Sequence, residues 1–372
     1  MDKIEKYIDE LLEKSTPDRP IWNIEKILQG RKSTWNYIDG CMIKAILEMY
    51  AITKDEKYFA FADNFIDHKV FEDGSIDGYS VEELNIDNVN AGKTLFELYD
   101  LTGKEKYRKA IDLVYSQIEQ MPRTKEGNFW HKNIYPNQVW LDGLYMCQPF
   151  YMEYETRFND KKNYDDIFRQ FFTVVEHMRD PKTGLYYHAY DSSREMFWCD
   201  KVTGLSQNFW LRALGWYSMA LLDTLDKADA SVGEPYERLK QVFVELMDAM
   251  LKYQDESGMW YQVVNYGGMD KNYLETSGSS IMAYGILKAV RMGLLSDDYA
   301  KYAKKAIDGI CERYLKTNED GSLSLGGICL VAGLGGNGRR PGTYDYYMSE
   351  PVVEDDAKGV GPFLLAYTEL LR

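Results

Sequence analysis

Thr53-Lys54-Asp55-Glu56-Lys57-Tyr58 returns as Thr102-Gly103-Lys104-Glu105-Lys106-Tyr107, 49 residues further along the chain. Looser echoes stand at Asn159-Asp160-Lys161-Lys162-Asn163-Tyr164, Gly233-Glu234-Pro235-Tyr236 and Ser296-Asp297-Asp298-Tyr299. Each is a short polar turn suited to cap a helix running on through the tyrosine. Self-similarity at this spacing is the mark of a repeat architecture, so helices are what must be counted.

Before each turn lies a helix-period segment rich in small residues: 39–50, 87–99, 142–154, 209–225 and 277–290. A sixth, 361–371, ends the chain. Gly40, Gly92, Gly143, Gly215 and Gly285 suit close helix approach. Segments after the turns, such as 105–117, carry a polar face with Lys and Asp, as surface helices do. Five inner–outer pairs result, with one inner helix left over at the end and one amphipathic helix, 2–14, at the start. Setting the first beside the last completes six inner and six outer helices. The count predicts an all-α (α/α)6 barrel, a single domain over residues 1–372. An open α-solenoid is the alternative, but solenoids keep tighter repeat lengths and more uniform loops.

The connections decide which end works. Inner-to-outer turns are short. Outer-to-inner loops are long, roughly 69–86, 121–138, 179–207, 254–275 and 316–359, and long irregular loops usually bind something. All open onto the N-termini of the inner helices, whose unpaired N–H groups and dipole favour anions. A formal net charge of −15 argues against nucleic acid or an anionic membrane as partner. It leaves room for a small anion gathered by local cations. The expected partner is such a substrate, met by a monomer or simple homo-oligomer.

Cys41, Cys147, Cys199, Cys311 and Cys329 are widely spaced, odd in number and never CxxC, giving neither a zinc ribbon nor a disulfide framework. Reduced thiols point to the cytoplasm. Met1-Asp2-Lys3-Ile4-Glu5-Lys6 leads into a charged helix with no apolar h-region, so no secretory signal is expected. Four histidines without an i, i+4 pair or HExxH give no metal site, and no cofactor is expected. No GxSxG elbow exists.

At the third inner-helix start, the eighteen residues Phe129 to Met146 hold five aromatic rings with His131, Lys132 and Asp142. An acid on an aromatic shelf beside cations suits a charged sugar that must receive a proton. Asp39, Asp87 and Asp142 all fall near inner-helix starts, where an N-cap is the plain reading of each. Around Asp87, Asn85, Asn88 and Asn90 compete to cap, which frees the acid for chemistry. Arg212 near a helix N-terminus opposes the dipole, so it is either a fixed guanidinium for a carboxylate or paired to Asp200 or another loop acid. His188 is either a donor to the sugar or a satisfied core histidine. Gly333-Leu334-Gly335-Gly336-Asn337-Gly338 matches G-x-G-x-x-G literally, yet Arg339-Arg340-Pro341-Gly342 follows in place of a helix. A flexible rim offering Arg339, Arg340 and backbone N–H groups fits better than a dinucleotide loop.

At these residues the chain resembles the unsaturated rhamnogalacturonyl hydrolases of glycoside hydrolase family 105. The likeness rests on Phe129-Trp130-His131-Lys132, Tyr135-Pro136 and Trp140-Leu141-Asp142-Gly143-Leu144-Tyr145-Met146. Further matches, in chain order from about residue 35, are Trp35-x-Tyr37, Asp87-x-x-x-Ala91-Gly92, Gly184-Leu185-x-Tyr187-His188-Ala189, Phe209-Trp210-x-Arg212-x-x-Gly215-Trp216, Leu274-Glu275-x-Ser277-Gly278-Ser279 and Tyr344-x-Tyr346-Tyr347. The resemblance implies an (α/α)6 barrel with Asp142 as general acid and Asp87 as second acid. It places Tyr37, His131, Lys132, Tyr135, His188, Trp210 and Arg212 in substrate binding. The implied reaction hydrates the C4=C5 enol ether of a 4,5-unsaturated galacturonate, needing one strong acid/base rather than a matched pair. The rival expectation is an unsaturated glucuronyl hydrolase acting on glycosaminoglycan fragments. A non-catalytic helical scaffold would leave the aromatic shelf around Asp142 unexplained.

Overall fold

Inner helices begin where a side chain or a neighbouring loop takes up their first N–H groups. Asn36 accepts from the amide of Asp39, Asn85 from Asp87, Glu275 from Ser277 and Gly278, and Asp356 from Lys358. The third and fourth inner helices have no side-chain cap. There the Leu141 amide donates to the His188 carbonyl at 3.1 Å and Leu211 to Gln262 at 3.0 Å. None of Asp39, Asp87 and Asp142 is therefore needed as the cap of its helix.

The structure, a computed structural model, describes residues 2–372. The inner helices are Tyr37–Thr53, 86–102 (a 3-10 turn Ile86–Gly92 running into Lys93–Thr102), Leu141–Phe158, Leu211–Lys227, Thr276–Arg291 and Ala357–Leu371. Their outer partners are Glu56–Asp67, Glu105–Gln120, Tyr164–Met178, Glu234–Leu251 and Ala300–Tyr314, with Asp2–Glu13 completing the outer ring. The last inner helix packs on the first and the fifth, which closes an (α/α)6 barrel. At the seam, Tyr367 donates to Glu5 at 2.9 Å and Tyr7 to Asp355 at 2.5 Å. The buried apolar side chains form a core running from Ile4 to Tyr367, with a small satellite around Trp140 and Trp198.

Small residues set the inner spacing at particular points. A Cβ on Gly40 would stand 2.6 Å from the Ala91 Cα, and one on Gly361 would stand 2.9 Å from the Cys41 carbonyl oxygen. At Gly285 the nearest atom is 3.7 Å away, so the expected close approach does not occur there.

Three inner helices depart from the regular expectation, the last of them by carrying Pro362. The second begins as a 3-10 turn, Ile86–Gly92, with the Asn85 side chain accepting from the Asp87 amide at its start. The third contains Pro149, which has no N–H for the Tyr145 carbonyl one turn back. Lys93 supplies the missing donor, its Nζ lying 2.8 Å from that oxygen and over the Tyr145 ring.

Short turns lie at one end of the barrel and the long loops at the other. Three two-stranded antiparallel ribbons stiffen those loops: Gln138–Trp140 with Ala189–Asp191, Leu315–Thr317 with Leu323–Leu325, and Ile328–Cys329 with Val352–Val353. Among the described residues no helix is long and apolar enough to cross a membrane.

Candidate active site

Main-chain bonds bring the residues together. The Ile86 amide donates to the His131 carbonyl at 3.2 Å and Asn133 to Leu84 at 3.1 Å, so the 129–140 loop is laced over the start of the second inner helix. Trp140 then pairs with Ala189 in the ribbon, which seats His188 beside Asp142. A cavity of about 190 Å³ opens at this point, lined by Tyr37, Asp87, His131, Lys132, Tyr135, Trp140, Asp142, Trp210 and Arg212. Glu25, Met146, Trp216, Val331, Ala332 and Arg340 complete the wall.

One side wall is aromatic. Trp140 stacks on His131, with ring centroids 4.6 Å apart at 9°, and on Tyr135, at 5.2 Å and 10°. Trp130 stands outside the cavity wall, half-buried.

The two acids have different partners. Asp87 lies 2.6 Å from the Lys132 ammonium and 3.6 Å from His131 Nε2. Burial pushes its carboxyl up, but Lys132 and His131 outweigh burial and hold it below its ordinary value. Burial works against the Lys132 charge too, and Asp87 overcomes it, so that ammonium is held above its usual value. Burial lowers His131 to about 4, leaving it neutral near pH 7. Asp142 has no ammonium or guanidinium within ion-pair range among the described residues. Its Oδ2 lies 3.3 Å from His188 Nε2, short of hydrogen-bond alignment.

Of the residues expected to bind substrate, His188 is absent from the wall and stands fully buried behind Asp142, its Nδ1 2.7 Å from the Tyr347 hydroxyl. Arg212 lines the cavity, but among the described residues it pairs with no loop acid. Its guanidinium donates to the Cys329 carbonyl, to Ser277 Oγ at 3.2 Å and to the Leu330 carbonyl at 3.5 Å. It anchors the glycine-rich strap beneath the mouth, and that anchorage is what offsets its place near a helix N-terminus. Asp200 instead closes its own turn onto Val202 and Thr203. From the rim, Arg340 reaches inward, donating to the Tyr135 hydroxyl at 3.2 Å. The mouth thus sets Lys132, Arg212 and Arg340 among Glu25, Asp87 and Asp142.

Sequence reasoning missed Glu25, and it gave no site role to Met146, Trp216 or Tyr347, although all three stand in the motifs quoted above. Glu25 lies outside the inner-helix starts and enters by pairing with Lys358 at 2.8 Å, a contact across 333 positions. Met146 had a usable signal: it is one helical turn beyond Asp142, on the same face.

Residues 7–372 match the model of Glycosyl Hydrolase Family 88. Among solved structures, a glycoside hydrolase from family 105 of C. acetobutylicum ATCC 824 superposes with a TM-score of 0.91 at 43% identity, covering 99% of this chain and 98% of that one. Protein Atu3128 of Agrobacterium fabrum (strain C58 / ATCC 33970) is 41% identical over 234 residues, 61% of this chain and 98% of the relative. The unsaturated rhamnogalacturonyl hydrolase YesR of Bacillus subtilis (strain 168) is 26% identical over 296 residues, 78% of each chain. Closed helical ring, loop-built mouth and family match agree: the chain belongs to the unsaturated uronyl hydrolase family that spans glycosyl hydrolase families 88 and 105, and is a glycosidase.

Proposed function

We propose that the enzyme removes the 4,5-unsaturated galacturonate from the non-reducing end of rhamnogalacturonan-derived disaccharides and short oligosaccharides. The observation that carries this reading is the unequal treatment of the two acids. Asp87 is fixed as a carboxylate by Lys132, while Asp142 faces the cavity with only a histidine beside it. The likeness to YesR supports galacturonate over glucuronate, and about 190 Å³ suits one uronate ring with the leaving sugar outside.

In this mechanism Asp142 gives its proton to C4, and the ring oxygen supplies electrons to leave an oxocarbenium ion at C5. Water adds to C5 while the Asp142 carboxylate takes its proton. The C5 hemiketal opens to a ketone, and the hemiacetal left at C1 expels the neighbouring sugar, rhamnose, as an alcohol. No covalent sugar–enzyme bond forms, so Asp87 is free to hold Lys132 and His131 in place as the second acid. Lys132, Arg340 and the inner-helix N-termini supply the positive field for the uronate carboxylate, with Trp210 and Tyr37 against the ring. The same reading carries a single catalytic domain working in the cytoplasm.

The test follows the ultraviolet band of the conjugated unsaturated uronate on adding protein. Loss of the band with release of rhamnose from the rhamnogalacturonan disaccharide is the expected result. Faster turnover of an unsaturated chondroitin disaccharide would replace this reading with a glucuronyl hydrolase.

A further inference from the structure

We propose that Tyr347 is a positioning residue that fixes the tautomer of His188, so that the imidazole Nε2–H faces Asp142 throughout the reaction. The functional part of this inference rests on the reading of Asp142 as the acid/base.

Tyr347 sits on the short helix Tyr344–Ser349, far from the acid in sequence and fully buried beside it. Its hydroxyl lies 2.7 Å from His188 Nδ1 and has no other recorded partner among the described residues. The imidazole is walled in, with Trp210 at 4.7 Å between centroids and Trp140 edge-on at 5.4 Å and 71°. Its main chain is pinned as well, the carbonyl accepting from Leu141 at 3.1 Å. The ring therefore cannot turn away, and only its proton placement remains open.

That placement follows from donor arithmetic. A neutral phenol has one proton to give, and Nδ1 is the acceptor within reach. Burial pushes the Tyr347 phenol well above its usual value, so it keeps that proton. With Nδ1 occupied as an acceptor, the ring proton of neutral His188 belongs on Nε2, 3.3 Å from Asp142 Oδ2. The other tautomer would set a nitrogen lone pair against a carboxylate oxygen. The remaining titratable groups around the pair are His131 and Asp87 toward the cavity, with Tyr346, Cys329 and Arg340 around the tyrosine.

The consequence separates the two acids. An ammonium locks Asp87 into one charge state, whereas a neutral N–H is a weaker partner that assists the carboxylate without trapping it. When Asp142 gives its proton to C4, Nε2–H closes on the new carboxylate. When that carboxylate takes a proton from water, the same bond loosens. No proton passes through Tyr347 or His188.

The experiment is nitrogen NMR on histidine-labelled protein, feasible because the chain has only 4 histidines. His188 is assigned by its loss in His188→Gln. The expected spectrum shows His188 protonated at Nε2 and bare at Nδ1 at neutral pH. A wild-type signal protonated at Nδ1 overturns the proposal, and this readout needs no variant of Tyr347 to fold. In Tyr347→Phe, kcat is expected to fall about tenfold with KM nearly unchanged. The alkaline limb of the kcat profile should move to higher pH, because an unsupported carboxylate holds its proton more tightly. A folded Tyr347→Phe with an unmoved limb overturns the functional part. Should Asp142→Asn keep full turnover, the acid/base reading fails by itself, and the tautomer measurement still stands or falls alone.

Discussion

Asp39 and Asp142 stand at matching places, near the starts of the first and third inner helices, and the fold uses them in opposite ways. Asp39 is sealed, with side-chain bonds from Trp22 at 3.2 Å, Ser33 at 3.0 Å and Asn36 at 3.0 Å, and the buried Lys69 ammonium at 3.8 Å. Asp142 has the cavity in front and one imidazole behind. An acid whose acceptor sites are filled by donors is a structural pin. One left facing an opening is free to exchange a proton. Asp87 lies between these extremes, cation-locked yet still on the cavity wall.

The largest effect should come from the open corner. Asp142→Asn is expected to keep the fold, by circular dichroism, and to lose on the order of 10²–10⁴ in kcat, roughly 3–5 kcal/mol of transition-state stabilisation. Near-normal turnover would erase the contrast with Asp39.

At the sealed corner the loss should be in stability. Asp39→Ala leaves Lys69, 1% exposed, without its counter-ion, at a cost of about 3–5 kcal/mol. Denaturant titration measures this, and replacing Lys69 by Met in the same protein should recover part of it. A loss under about 1 kcal/mol would mean the pair holds nothing.

Asp87→Asn should fall between them, lowering kcat/KM by roughly tenfold to a hundredfold without reaching the Asp142 loss. Since Asp87 is held below its ordinary value by Lys132, the pH limb assigned to Asp142 should survive this change. Its disappearance would give the proton transfer to Asp87.

The smallest effect concerns Lys93, a buried amine with no carboxylate within ion-pair range among the described residues. Burial lowers it to about 7, so in the folded state it sheds its proton well before it would in the unfolded chain. Between those values the unfolded state binds more protons, and stability rises with pH. From pH 6 to pH 9, wild type should gain on the order of 1–3 kcal/mol relative to Lys93→Met in matched denaturant titrations. Parallel curves for the two proteins would show Lys93 charged throughout.

The repeat of polar turns was readable because helix caps and tyrosine-led outer helices are local signals. It located the long loops to within a few residues, and with them the working end of the barrel. The pattern of the second inner helix predicts α from Asp87, whereas the helix opens as a 3-10 turn, Ile86–Gly92, capped by the Asn85 side chain. The sequence offers two readings of Arg212, a guanidinium for a carboxylate or a partner for a loop acid. The structure sets it on the cavity wall and holds it through three carbonyl and hydroxyl acceptors at Ser277, Cys329 and Leu330, which no nearby sequence announces.

By itself, then, the sequence determined the helix count, the closed ring, the active end and the aromatic stretch around Asp142. These follow from periodicity, capping and loop length, which act over a few residues. Only the tertiary structure decided what surrounds each aspartate, by bringing Lys69 to Asp39, Lys132 to Asp87, and His188 with Tyr347 to Asp142. Charge and hydrogen bonding act across a few ångströms of space, and that distance exists only once the ring has closed.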